Sequence, residues 1–320
     1  MNNNDITFQV LTYYYTDNMT QLQIAEKLNI SRIAVSRLLS KARKDGLVQF
    51  KIIYPKNMFN VRVANLEKEF TKKYNLKECI IIKTHAEQTE TLKELSNQLS
   101  NLLDRIVENS TFIGVGWGNT LETVSKYMEV KEKKDIRVTP LIGGYGKFSE
   151  GAHSNNIARI IAEKFSGTSY VINIPASFDT KEIKESILAD SMGKEIIKRT
   201  KMVDLAVLCM SDLSKMSSLY DKGQLNDEDI NYLSKLGVIG DINYIFVDKN
   251  GNFVPNEISD RTTNIFPIAL MKSVKNVLGI AFGTRKAIIL NAVLKGGLVN
   301  ILLTDSEAAN KILELESIEN

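Results

Sequence analysis

Two cysteines, two histidines, one tryptophan and five prolines are all that this 320-residue chain holds of those types, and each scarcity closes off a class of explanation. Cys79 and Cys209 lie far apart in the apolar runs ECIII and LAVLCM, a pattern that excludes a disulfide-stapled scaffold and predicts two buried, reduced thiols. His85 and His153 have no Cys or His partner at ligand spacing, so neither a metal site nor a cofactor is expected. No run of about 18 uncharged apolar residues and no N-terminal signal pattern is present, so no membrane contact is expected and the cytoplasm is the default compartment. Nor does charge of one sign dominate, since the net charge is only +3.

That small excess is unevenly placed. Up to Asn57 eight Lys and Arg face four acids, a net of +4, which leaves the remainder about neutral. A basic segment on an otherwise neutral chain is the electrostatic footprint of nucleic-acid binding. Within it, residues 20–44, TQLQIAEKLNISRIAVSRLLSKARK, carry the spacing of a helix-turn-helix. Leu22, Ile24, Ala25 and Leu28 fall on one side of a short helix, and Ala25 is small enough for a second helix to cross closely. The break comes at Asn29-Ile30-Ser31, where Ser31 is a good N-cap. In the helix that follows, Val35, Leu38, Leu39 and Ala42 form an apolar stripe, which leaves a basic, hydroxylated face outward. Ser31, Arg32, Ser36 and Arg37 are expected near base edges in the major groove, with Lys41, Arg43 and Lys44 on phosphates. The alternating run at residues 47–54, LVQFKIIY, predicts a strand or small wing.

Such a module needs about 60 residues, so most of the chain serves another purpose. The sequence divides into a winged helix-turn-helix at 1–56, a linker helix at 57–76 and a large domain at 77–320. From Lys77 onward, the runs CIII, FIGVGW, IRVTPLI, SYVINI, DLAVLCM, NVLGIAF and VNILLT predict buried parallel strands. Helical patterns at 89–108, 120–128, 155–165, 181–198 and 285–294 separate them. The expected fold class is therefore α/β, a Rossmann-like, doubly wound sheet whose ligands lie at the carboxyl ends of strands.

Three glycine-containing loops stand at such ends. In the first, Gly118, Asn119 and Thr120 open a helix and offer backbone N–H groups to an anion. The second contains Gly143 and Gly144. In the third, Gly283 and the Thr284 hydroxyl, placed to cap the next helix, precede Arg285 and Lys286. Cations at a helix N-terminus oppose the macrodipole, a penalty that a bound anion relieves. Asp190, Asp241, Asp260 and Arg261 lie in or beside loops, where carboxylates suit sugar hydroxyls or simply cap turns.

The order of these features resembles the SorC family of bacterial transcriptional regulators. The likeness runs nearly end to end, through GVGWGNTL, PLIGGYG, HSNNIARIIAEKFSG, GVIGDINYIFVDKNGN, DRT, GIAFGTRKAIILNAVLKGG and ILLTD. It implies a DNA-binding domain joined to an effector domain related in fold to sugar-phosphate isomerases and deaminases. It also implies a phosphorylated sugar or polyol effector, operator DNA as partner, and assembly as a homodimer or homotetramer. Gly118-Asn119-Thr120 matches the family's first phosphate loop. Residues 282–286 match its Gly-Gly-x-x-Lys loop, with Phe282 in place of the first glycine. Asp241 falls in the Gly-Asp-Ile motif, and Asp260 and Arg261 in the Asp-Arg motif, as expected sugar contacts. The commoner family pattern implies a repressor released by its effector.

Two alternatives belong to other classes. One is a sugar-phosphate isomerase or deaminase-like enzyme, which needs a carboxylate or His placed to move a proton. The other is a helix-turn-helix used only for protein contacts, which predicts no salt-dependent DNA binding.

Overall fold

The computed structural model describes residues 3–48, 61–130, 134–144 and 153–319. The chain forms two compact units, Met1–Phe59 and Asn60–Asn320.

The first unit contains helices α1 (Asn3–Tyr15), α2 (Gln21–Leu28) and α3 (Arg32–Lys44). Local chemistry sets each boundary. Thr20 and Gln23 form a reciprocal capping box at the start of α2. Asn29 ends that helix in the left-handed conformation, at φ 49°, where a short amide side chain is tolerated. The Ser31 Oγ accepts the Ala34 N–H at 3.1 Å and so starts α3. Val10, Leu11, Ile24, Ala25, Val35, Leu39 and Ala42 make the core. Leu22, expected on the packed side, is instead 57% exposed. It lies about 200° around the helix from Ile24, on the far side of the 3.6-residue turn. The expected wing falls outside the described residues beyond Val48.

In the second unit, α4 (Ala64–Lys73) precedes β1 (Glu78–Ile82), α5 (Gln88–Ile106), β2 (Phe112–Val115), α6 (Asn119–Tyr127) and β3 (Arg137–Pro140). There follow α7 (Ser154–Lys164), β4 (Thr168–Ser169), α8 (Lys181–Ala189), α9 (Ser191–Thr200) and β5 (Leu205–Asp212). Next come α10 (Ser218–Asp221), α11 (Asp227–Lys235), β6 (Gly240–Ile242), β7 (Ile245–Val247), α12 (Glu257–Asp260) and α13 (Ile268–Ser273). The chain ends with β8 (Asn276–Ile280), a 3-10 turn (Thr284–Lys286), α14 (Ala287–Lys295), β9 (Ile301–Asp305) and α15 (Ser306–Glu319).

The sheet runs β1-β9-β8-β5-β2-β3-β4, every neighbouring pair parallel. Its central strands are largely apolar because both faces are covered. In β5, Ala206, Leu208 and Met210 point into one core while Leu205, Val207 and Cys209 point into the other. The first core includes Phe70, Ile289, Leu290, Ala308 and Ile312, from α4, α14 and α15. The second includes Leu95, Leu99, Leu121, Val124, Ile157 and Ile161, from α5, α6 and α7. The chain reverses direction between β2 and β5, so the loops after those strands diverge and leave a crevice.

Several expectations change. The helix expected as a linker is part of the α/β unit, because Phe70 is fully buried and the Val63 N–H donates to the Ile81 carbonyl at 2.8 Å. Of the run SYVINI only the first residue is in a strand. The Asn155 side chain accepts the Ile172 N–H and donates to its carbonyl, taking both groups away from a ladder. The helix expected over 181–198 is two helices, broken at Asp190. The sequence reading also lacked the antiparallel hairpin of β6 and β7, which extends β5.

Candidate functional site

In the first unit Ser31, Arg32, Ser36, Arg37, Lys41 and Arg43 are all exposed along α3, as a reading helix requires. Arg43 is restrained, since its Nε donates to the Tyr15 hydroxyl at 2.8 Å. Ile33, 66% exposed in the first turn of α3, is an outward apolar group among these polar positions, without a sequence signal of its own. An apolar side chain there suits contact with a thymine methyl group.

In the second unit a cleft of about 520 Å³ opens at the carboxyl ends of β1, β2, β5, β8 and β9. The topology predicts this place, because every parallel strand delivers its loop to the same edge. Asn119, Thr120, Gly283, Thr284, Arg285 and Lys286 all line it. Gly118 opens α6 at φ 124° and Gly283 stands before the 3-10 turn at φ 80°, conformations that a Cβ would strain. The helix starts at Gln88, Asn119 and Thr284 carry no side-chain cap, so their first N–H groups are not taken by a capping side chain. Thr284 thus lies within the turn rather than capping it.

Lys286 sits at the centre. It is buried, its Nζ donates to the Thr120 Oγ1 at 3.2 Å, and it forms no ion pair among the described residues. Burial lowers its pKa, because an ammonium loses its hydration there. Asp241, also buried, lines a narrower recess with Lys286, Thr120, Trp117 and Ser218. Its carboxyl is pushed up to about 7 by burial, against the opposing effect of the Tyr244 N–H that donates to its Oδ2. The hairpin turn supplies that donor: Asn243 and Tyr244 both have positive φ, 51° and 67°, the pair of values a two-residue turn needs. The Tyr244 ring then stacks on Trp117. Burial also raises the Cys209 thiol, to about 11, which keeps it protonated.

Arg285 is drawn away from Lys286 by an ion pair with Asp212 at the end of β5. Five candidate residues lie elsewhere. Asp190 is exposed and caps α9, its Oδ2 accepting the Met192 N–H. Asp260 is exposed, 3.9 Å from Lys181, and Arg261 donates to the Phe178 carbonyl. Gly143 packs against the Pro175 carbonyl, and Gly144 donates to the Ile174 carbonyl and accepts from Ala176. None of these lines the cleft among the described residues; the loop after Gly144 lies outside them. The structure adds Thr84, His85, Gln88, Ser211, Met216, Ser218 and Glu307 to the lining. Residues 84–88 follow a strand and open a helix, a signal equal in kind to the three glycine loops but without glycine.

The family described as "Putative sugar-binding domain" matches residues 60–314, and sigma-70, region 4 matches residues 4–45. The deoxyribonucleoside regulator of Bacillus subtilis is 28% identical over 96% of this chain and 97% of its own. The sorbitol operon regulator of Klebsiella pneumoniae is 28% identical over 98% and 99%. The crystal structure of that full-length regulator, SorC, superposes with a TM-score of 0.73 at 27% identity, covering 98% of this chain and 99% of the other. With a helix-turn-helix unit followed by a sugar-binding domain matched along nearly its whole length, the chain belongs to the SorC family of transcriptional regulators.

Proposed function

We propose that this regulator is a repressor of a carbohydrate or polyol catabolic operon, acting in the cytoplasm as a homodimer or homotetramer. It binds operator DNA through α3 and is released by a phosphorylated sugar or polyol seated between Thr120 and Lys286. The observation that carries the reading is Lys286: a buried ammonium that, among the described residues, donates to a hydroxyl and forms no ion pair, beside the open N-terminus of α6. A cation held out of water without an ion-pair partner is costly, and a phosphate supplies both the charge and the acceptors. Asp241 is the hydroxyl-binding partner, with Oδ1 left to accept from the ligand. The relatives named for deoxyribonucleosides and sorbitol support a sugar-type effector.

On the DNA side Arg32 and Arg37 pair with guanine, Ser31, Ser36 and Ile33 contact neighbouring groups, and Lys41 and Arg43 meet phosphates. One such helix reads only a few base pairs, so two-fold assembly multiplies specificity. Effector binding shifts operator affinity by its differential affinity for two arrangements of the subunits, and about 1–3 kcal/mol gives a switch of roughly 5–150-fold.

Thermal unfolding against a panel of sugar and polyol phosphates, each beside its unphosphorylated form, tests this. At about 100 times its dissociation constant a true effector adds roughly 2.7 kcal/mol. Stabilisation by free sugars alone would remove the anion role of Lys286. A second reading, a sugar-phosphate isomerase, draws on the buried Asp241 carboxyl beside Lys286, which burial pushes up to about 7, in the range that suits a proton-transferring base. Turnover of any panel compound would favour it.

A further inference from the structure

The cleft extends beyond Lys286 to a shelf at the carboxyl ends of β1 and β9. Thr84, His85, Gln88, Asp305 and Glu307 line it there, continuous with Thr120 and Lys286. Asp305 is fully buried and accepts from three donors. Its Oδ1 accepts the N–H groups of Gly283 at 2.9 Å and Ala308 at 3.3 Å, and its Oδ2 accepts the Thr84 hydroxyl at 2.7 Å. Thr84 Oγ1 also accepts the Glu307 N–H at 3.1 Å, and the Thr84 N–H donates to Ser306 Oγ. One buried carboxylate therefore fixes the loop that carries Lys286 relative to the shelf, so the two ends of the cleft are held at a set spacing.

The groups that face the cleft from the shelf differ in kind from those at Lys286. The side chains of His85, Gln88 and Glu307 are exposed and make no hydrogen bond among the described residues. A carboxylate, an amide and an imidazole together accept and donate, the set that reads hydroxyl groups, and Glu307 there would repel a second phosphate.

We infer that Gln88 and Glu307, with His85 beside them, form a second subsite that binds the distal hydroxyls of a polyhydroxylated ligand, with Asp305 as the residue that positions this subsite against the anion end. The inference rests on the proposed anion site at Lys286. It favours a singly phosphorylated five- or six-carbon sugar or alditol over a three-carbon phosphate or a bisphosphate, because a longer chain with a free hydroxyl end has more hydroxyls to offer the shelf.

Titration calorimetry on the full chain tests this with inorganic phosphate, glycerol phosphate, ribitol phosphate, mannitol phosphate and unphosphorylated mannitol. In the wild type, affinity rises with chain length across the phosphates. Lys286→Ala weakens every phosphate, inorganic phosphate included. The double variant Gln88→Ala/Glu307→Ala leaves inorganic phosphate and glycerol phosphate unchanged and weakens the two longer compounds at least tenfold, so that the length dependence disappears. Asp305→Asn, whose amide keeps one oxygen for the two N–H groups and turns a donor in place of the acceptor of the Thr84 hydroxyl, weakens the long compounds more than inorganic phosphate. Equal loss for all compounds in the double variant, or no loss for any, overturns the subsite. If the wild type binds mannitol but no phosphate, the anion site fails alone, and the double variant must still weaken mannitol. If the wild type binds none of the five, both readings fall.

Discussion

Replacing Lys286 with methionine separates the cost of a buried cation from its use. The side chain is 7% exposed and its ammonium donates to one hydroxyl, while burial lowers its pKa. Methionine keeps the length and the apolar stem and removes the group that resists burial. In the ligand-free protein the exchange deletes one hydrogen bond to Thr120, about 1 kcal/mol, and removes a desolvation penalty of at least similar size. The stability of the α/β unit is therefore expected to hold within about 1 kcal/mol or to rise. In the complex the same exchange removes one member of a buried charge pair, about 3–5 kcal/mol, which weakens a sugar phosphate by roughly two to four orders of magnitude. Trp117 is the only tryptophan of the chain, and its ring stacks on Tyr244 beside this recess. Its fluorescence in urea reports the stability of this unit alone, and calorimetry reports the affinity. A variant destabilised by more than about 2 kcal/mol that still binds the phosphate as tightly would refute the reasoning, since Lys286 would then be a structural group.

Arg37→Ala is expected to weaken specific DNA binding by about 1–3 kcal/mol and leave calorimetric effector binding unchanged, whereas Lys41→Ala weakens binding to all sequences and lowers the salt slope by about one. Ser31→Ala removes the cap of α3 and should cost about 1 kcal/mol in the unfolding of the N-terminal unit, followed by circular dichroism. Asp241 makes stability depend on pH. Its folded carboxyl, raised to about 7, keeps a proton that the unfolded chain releases, so this contribution is complete below about pH 4 and is lost as pH climbs through about 7. Asp241→Asn should flatten that part of the profile measured by urea unfolding, and an unchanged slope would place the titration elsewhere.

Much of the fold was legible because both periods in the sequence are set by burial. The doubly covered sheet needs strands that are apolar on both faces, and LAVLCM and ILLTD are runs of that kind, too short for a buried helix. Helix starts were legible where a side chain caps its own helix, as Ser31 does. The misses have the opposite character. The hairpin at Asn243-Tyr244 uses an aromatic residue at positive φ, which local preference argues against and the Trp117 stack offsets. SYVINI reads as a strand, yet a side chain outside it, Asn155, takes its backbone groups. At the cleft Thr120, Gly283 and Lys286 were legible from loop chemistry. Asp190 and Asp260 were not separable from them, since a carboxylate that caps a helix, as Asp190 does, or faces a lysine, as Asp260 does, looks like a ligand-binding one until its partner is seen. The shelf at His85, Gln88 and Glu307 carries no motif; it exists because β1 and β9, distant in sequence, are neighbours in the sheet.

The central claim is that one chain couples a DNA-reading helix to a phosphate-binding cleft. Selection of bound duplexes from a random pool, followed by anisotropy titration of the selected sequence with and without sugar phosphates, tests it directly. The account predicts a two-fold symmetric sequence whose affinity changes at least fivefold with one phosphorylated compound and not with its free sugar, and an Lys286→Met variant that binds the sequence but ignores the compound. No selected sequence, or one indifferent to every compound that the cleft binds, would contradict it.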